Sequence, residues 1–182
     1  MSVVPAIEGS VSIQSPADRF LAACRQRVAA GLLSGNPHPR SNYVISDAGP
    51  DRIEIRARDW WTAINVGFNT VKLRHVPPNI ISYHVEYWRW AQFVLGLSAA
   101  LGLVGLILLL AVDVRSYIAE HLSSMIPGLS IEQNLRIAWL MVLFWGIVWP
   151  WLLIWRHKRP LRGLIARLIA EIDAMNAAAP QR

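Results

Sequence analysis

Two stretches of this 182-residue chain carry no charge at all: AQFVLGLSAALGLVGLILLLAV from Ala91 to Val112, and IAWLMVLFWGIVWPWLLIW from Ile137 to Trp155. As α-helices they would be about 33 Å and about 28 Å long, against a hydrocarbon core of about 30 Å. Core helices of soluble proteins rarely run that far without a polar residue. The sequence therefore predicts a membrane α-helical hairpin of two transmembrane helices. Charged residues make up only 16% of the chain, where about 25% is usual, which argues against both an ordinary soluble enzyme and a disordered polymer.

The flanks of the runs agree with this reading. Trp88 and Trp90 stand at the start of the first, Trp139 opens the second, and Trp151 and Trp155 close it. Indole rings suit the headgroup level, and Arg156, Lys158 and Arg159 extend the same interface. Trp145 and Trp149, deeper in the second run, are expected to pack. Basic residues gather before the first run (Lys72, Arg74, Arg89) and after the second (Arg156, Lys158, Arg159, Arg162, Arg167). The connection holds only Arg115 and Arg136, so both termini are expected to be cytoplasmic and the loop external. Residues 1–15 show no basic region followed by an apolar core, so the first run is read as its own uncleaved insertion signal. Of the 18 basic residues only Lys72 and Lys158 are lysines, a bias pointing to a GC-rich bacterial source and hence to an inner membrane.

The net charge is +6, and much of it lies in 156–182, just beyond an apolar run. That placement fits membrane orientation, not the basic reading face of a nucleic-acid binder. Cys24 is the only cysteine, which excludes an internal disulfide and a Cys-rich zinc motif.

The expected organisation has six parts. Residues 1–14 read as a flexible tail and 15–88 as a cytosolic α+β unit. Residues 89–112 hold the first transmembrane helix, 113–136 an external loop with a short interfacial helix, and 137–155 the second transmembrane helix. A basic, amphipathic helix occupies 156–182. Within 15–88, Ser15-Pro16-Ala17-Asp18 reads as a helix start with Ser15 as cap. Phe20, Leu21, Cys24, Val28 and Leu32 repeat at helical spacing. NYVISD and DRIEIRA bracket a hairpin at Ala48-Gly49-Pro50. Asp59 caps a short helix through WWTAINV that Gly67 ends, and TVKLRHV and IISYHVE form two more strands around Pro77-Pro78. The order is thus helix, then β-β-α-β-β; the rival makes 60–76 a single long strand.

In the loop, Val114, Tyr117, Ile118, Leu122 and Met125 share a helical face ended by Pro127-Gly128, and Ser130 with Gln133 forms a capping box for the second apolar helix. Pro150 should disturb that helix and free the carbonyl of Gly146. Near the C-terminus, Leu161, Leu164, Ile165, Leu168, Ile169 and Ile172 line one side. Glu171 and Asp173 would be repelled by an anionic leaflet, which favours packing of this helix on the N-terminal unit.

Chemistry-bearing patterns are few. Neither apolar run holds Asp, Glu, Lys, Arg or His, so proton pathways and haem ligation inside the membrane are not supported. No nucleotide-binding glycine motif or nucleophile elbow occurs, and no cofactor is implied. His75 and His84 would face each other if their strands paired across the prolines, with Glu86 beside His84. Such a set is more often solvent-facing than metal-binding. Together with Trp60 and Trp61 they make the one candidate ligand or partner groove, in which an indole would touch lipid or a partner. Ala91, Ser98, Gly102 and Gly105 form a small-residue helix-packing face for the second run of the same chain or for another chain.

Three function classes follow. The first is a non-catalytic accessory subunit or scaffold acting through membrane lipids and a protein partner or further copies of itself. The second is an interfacial lipid-binding protein or enzyme using the α+β unit, and the third is a homo-oligomeric pore.

Overall fold

The computed structural model describes residues 4–32, 43–121, 126 and 128–177. The chain divides into two units. One is formed by residues 1–91 together with 156–182, and the other by 92–155.

The first unit is built on a five-stranded antiparallel sheet: β1 (Ala6–Ser12), β2 (Tyr43–Ala48), β3 (Arg52–Ala57), β4 (Thr70–Val76) and β5 (Ile80–Glu86), in the order β1-β5-β4-β3-β2. Helix α1 (Ala17–Ala30) follows β1, and α2 (Trp60–Val66) joins β3 to β4. The expected β-β-α-β-β order holds, and the single long strand over 60–76 is discarded. Residues 1–14 are not simply a tail, because β1 pairs with β5 along its whole length, from Ala6 opposite Glu86 to Ser12 opposite Ile80. The local pattern of β1 is weak, since Gly9 interrupts its inward row. Gly9 lies opposite Tyr83, and a Cβ there would meet the Tyr83 ring. The strand therefore docks because a ring from its neighbour fills the missing side chain's place.

Alternation sorts the sheet into two faces. Ile7, Val85, Val71 and Ile55 form one inward row across four strands, and Tyr83, Leu73 and Ile53 form the next. All seven are buried, as are Phe20, Leu21, Cys24 and Val28 of α1 and Leu32, two residues beyond its end. The opposite face is polar. Glu8, His84, Lys72 and Glu54 are successive cross-strand neighbours, which sets both carboxylates beside a basic side chain, while Arg52 stands directly opposite Arg74.

The long C-terminal helix belongs to this unit from residue 156 onward. Leu161, Ile165, Leu168, Ile169 and Ile172 are buried, and the helix packs on protein as its acidic residues suggested. Asp173 accepts from the backbone N–H of Gln14 and Ser15 at 2.8 and 2.9 Å and from the Ser15 hydroxyl, while Glu171 lies 3.7 Å from Arg27. This corrects the role of Ser15. It makes no capping bond to α1, whose N-cap residue is Pro16. A distant carboxylate outcompetes the local cap because it takes both the hydroxyl and two backbone donors. Burial raises the Asp173 pKa, but the bonds from Ser15 and Gln14 outweigh it and hold the carboxyl below its ordinary range.

The second unit contains most of α3 (Trp88–Ala111), α4 (Val114–Glu120), α5 (Ile131–Leu143), a π-helical turn at Phe144–Val148 and the start of α6 (Trp149–Ala177). Two helices are long and apolar enough to cross a membrane: Trp88–Ala111, and the continuous helix Ile131–Asn176. The second apolar run and the amphipathic segment are thus a single helix, with Pro160 inside it. The disturbance at Pro150 takes the form of the π turn, in which Trp149 N–H reaches Phe144 O. A proline cannot serve the carbonyl four residues back and its ring presses on it, and a wider turn relieves that crowding.

Asp113 caps α4 through Ser116, and Ser130 and Gln133 form the expected capping box. Ile118 is buried while Tyr117 is exposed. Leu122, Met125 and Pro127 lie outside the described residues.

Candidate functional site

Within the sheet unit, α2 and the first turn of α3 (residues 88–91) share a corner built from helix caps. Asp59, in extended conformation, caps α2 through bonds from Thr62 N–H at 2.8 Å and Thr62 Oγ1 at 2.9 Å. The backbone bond from Thr62 is the largest reason its carboxyl sits below the usual range. After seven residues α2 ends at Gly67, whose φ of 84° is left-handed and whose N–H returns to Ala63 O; glycine adopts this conformation without steric cost. Phe68 follows, fully buried. Asn69 then bonds through its backbone to Ala57 and Glu86. Its side-chain oxygen, in the amide orientation that satisfies both donors, accepts from Trp88 N at 3.0 Å and Arg89 N at 2.8 Å. Asn69 therefore caps the first apolar helix from the start of β4.

Two groups of aromatic side chains stand around this corner. Trp60 and Trp61 are 43% and 66% exposed, while Thr62 and Ala63 take the buried side of α2. Arg89 turns back over them, its guanidinium 5.9 Å from the Trp60 ring centroid and its Nη1 donating to Asp59 O at 3.3 Å. The second group is buried deeper. The His157 ring lies flat on Trp90 at 3.7 Å and meets Tyr87 edge-on at 5.6 Å. A Cβ on Gly67 would stand 2.6 Å from His157 Nε2. Burial pushes the His157 pKa down to about 4, so the imidazole is neutral at pH 7, and its Nε2 has no hydrogen-bond partner among the described residues. The ring acts as a packing piece that closes α6 onto the end of α2.

His75 and His84 do not come together. His75 pairs with Ile81 and His84 with Lys72, which puts them three positions out of register and on opposite faces of the sheet. His84 Nδ1 lies 2.8 Å from Glu8 and its Nε2 3.4 Å from Glu86. No cluster of three or more potential metal ligands occurs among the described residues. The groove imagined from Trp60, Trp61, His75 and His84 is therefore replaced by two separate features, an exposed indole pair and a polar sheet face.

The small-residue face has its partner within the chain. A Cβ on Gly102 would fall 2.8 Å from Gly146 Cα, and one on Gly105 would fall 2.9 Å from Val142 Cγ2. Ala91 and Ser98 are also buried. Gly146 is thus the reciprocal small residue, invisible in a search for repeats within the first run alone. Among the residues expected at a membrane interface, Trp88, Trp151 and Trp155 are about half exposed, and Arg156 and Arg159 are exposed while Trp139 and Lys158 are half-buried. Trp90 departs from the expectation, being engaged by His157. Trp145 and Trp149 lie 4.8 Å apart beside Phe144, with Trp145 still 41% exposed. Sequence reading missed Asn69, Gly146, His157 and Asp173 as organising residues, because each acts on a partner far away in the chain.

Compared with protein-family models, with curated protein sequences and with solved structures, the chain shows no significant match.

Proposed function

We propose that the chain is a two-span integral protein of a bacterial inner membrane, both termini cytoplasmic, that works through contacts as an accessory subunit or scaffold. The observation that carries this reading is the surface of the two long helices. Within the most apolar window of each, only 11% of the residues are buried, and Leu101, Leu103, Leu108, Leu110, Leu140 and Ile147 are each more than half exposed. A soluble core helix would bury that surface, whereas lipid accepts it. The connectivity adds a second support. Residues on both sides of the hairpin fold into one unit, and a folded unit occupies one side of a bilayer. The excess of Lys and Arg on that side favours the cytoplasm.

The non-catalytic part of the reading rests on what the polar groups already do. Asp59 and Asn69 cap helices, Asp173 ties two segments together, His157 is packed and His84 is held between carboxylates. What remains for contact is the charged sheet face. A homo-oligomeric pore is disfavoured because the seam that would join neighbouring hairpins is occupied by the chain's own second helix. The test combines alkaline carbonate extraction of membranes with native mass spectrometry after gentle solubilisation. Retention in the membrane together with a co-purifying second protein is the expected result. Release by carbonate would refute the membrane reading, and a uniform ring of this chain that conducts ions would replace the scaffold with a pore.

A further inference from the structure

We infer that Trp60 and Trp61 of α2 are seated in the headgroup layer of the membrane that the apolar helices enter, giving the sheet unit a second contact with lipid. The inference rests on the membrane reading above and adds a second, peripheral attachment to it. Its first support is the tether. Arg89 reaches Asp59 O and the Trp60 ring, and Asn69 caps Trp88 and Arg89, so the start of α2 is held at the level of the first turn of α3. From Trp88 to Ala91, where the uncharged run begins, a helix rises only about 5 Å. The headgroup region is about 5–8 Å deep on each side of the hydrocarbon. Side chains fixed beside Trp88 and Arg89 therefore fall within that layer.

The second support is composition. Trp61 is the most exposed indole of those described, and Trp60 and Trp88 are also more than two-fifths exposed. Three solvent-facing tryptophans around one corner are costly in water, yet suit the boundary where a ring is half in hydrocarbon and its N–H stays wet. Arg58 and Arg89 flank them, giving the patch the charge that anionic lipid attracts. The exposed apolar side chains of the polar sheet face, Val44 and Val76, are smaller and have no polar tip.

The test uses the full chain reconstituted into phosphatidylcholine–phosphatidylglycerol vesicles, with a nitroxide attached to Trp61→Cys. Cys24 is buried and its thiol pushed up to about 12, so it stays silent to the label. Relative accessibility to oxygen and to a water-soluble nickel complex is compared with Ser10→Cys on the polar sheet face and Leu101→Cys in the apolar run. Asn65→Cys, exposed one turn further along α2, is a second probe that leaves both indoles intact. The expected result is an oxygen-to-nickel ratio at 61 and 65 several-fold above that at Ser10 and below that at Leu101. A ratio equal to that at Ser10, with Leu101 in lipid, overturns the inference and leaves the membrane reading standing. A water-accessible Leu101 removes both. Protection of 61 from both reagents also overturns it, since protein rather than lipid would then cover the patch.

Discussion

Replacing Gly67 by alanine separates two physical penalties that this structure combines at one residue. At φ 84° an L-residue costs about 1–2 kcal/mol more than glycine. The new methyl would also stand 2.6 Å from His157 Nε2 and 3.1 Å from Leu161 Cδ2. The leucine tip can give way, but the imidazole lies flat on Trp90 at 3.7 Å. Overpacking of this kind costs about 1–3 kcal/mol. The sum for Gly67→Ala is a loss of about 2–5 kcal/mol from the sheet unit. Gly31→Ala is the control, with φ 105° and nothing within 4 Å of the added Cβ, so it carries backbone strain alone. Urea unfolding of the full chain in mild detergent, followed by far-UV circular dichroism, reads both variants. The decisive measurement is the cycle with His157→Ala, which removes the ring that the methyl strikes. A coupling of at least about 1 kcal/mol in favour of the double variant is expected. Additivity within about 0.5 kcal/mol would refute the claim that His157 is locked against Gly67.

Other consequences concern the hairpin, the C-terminal helix and pH. Gly105→Cys with Val142→Cys should form an intrachain disulfide on mild oxidation, because a Cβ at 105 lies 3.8 Å from Val142 Cβ, the usual spacing for a bridge. Adding Gly102→Leu should abolish that cross-link by forcing the backbones apart at Gly146, and a bridge that still forms would disprove the close contact. Asp173→Asn should destabilise the sheet unit by about 1–2 kcal/mol, read as a lower urea midpoint. Because the folded pKa of Asp173 is lowered, its contribution is full above the unfolded value near 4 and is lost as pH falls through the folded value, so the variant should show a smaller acid loss. His157 works in a different window. Its pKa falls from 6.5 to about 4 on folding, so the unfolded chain binds the proton first and stability drops as pH falls from about 6.5 towards 4. His157→Gln should flatten that slope, and an unchanged slope would mean the ring is not buried as described.

Much of the fold was legible locally. Phe20, Leu21, Cys24 and Val28 are buried at the spacing that a helical stripe requires, and Asp59, Gly67, Ser130 and Gln133 take the capping roles their residue types suggest. Each of these rules links residues within about one turn. Strand β1 escaped because Gly9 breaks its pattern and only Tyr83, far along the chain, completes it. The histidine pair failed for a related reason: which residue of β4 faces which of β5 is a matter of register, and a turn containing two prolines allows several. The register observed sends His75 inward and His84 outward.

By itself, the sequence determined where the two uncharged apolar runs lie, which short elements flank them, and which residues cap α2 and open α5, but not that the second run continues through Pro160 as one helix. These follow from charge exclusion, periodicity and backbone preference, all of which act between near neighbours. Only the tertiary structure decided that the N-terminal segment is a strand and that Ser15 serves Asp173 rather than its own helix. It also decided that Gly102 meets Gly146 within the chain, and that His157 is packed neutral against Trp90 instead of joining the basic run around it. Each of these depends on desolvation and close contact between segments up to about 160 residues apart, and local sequence carries no signal for a partner at that distance.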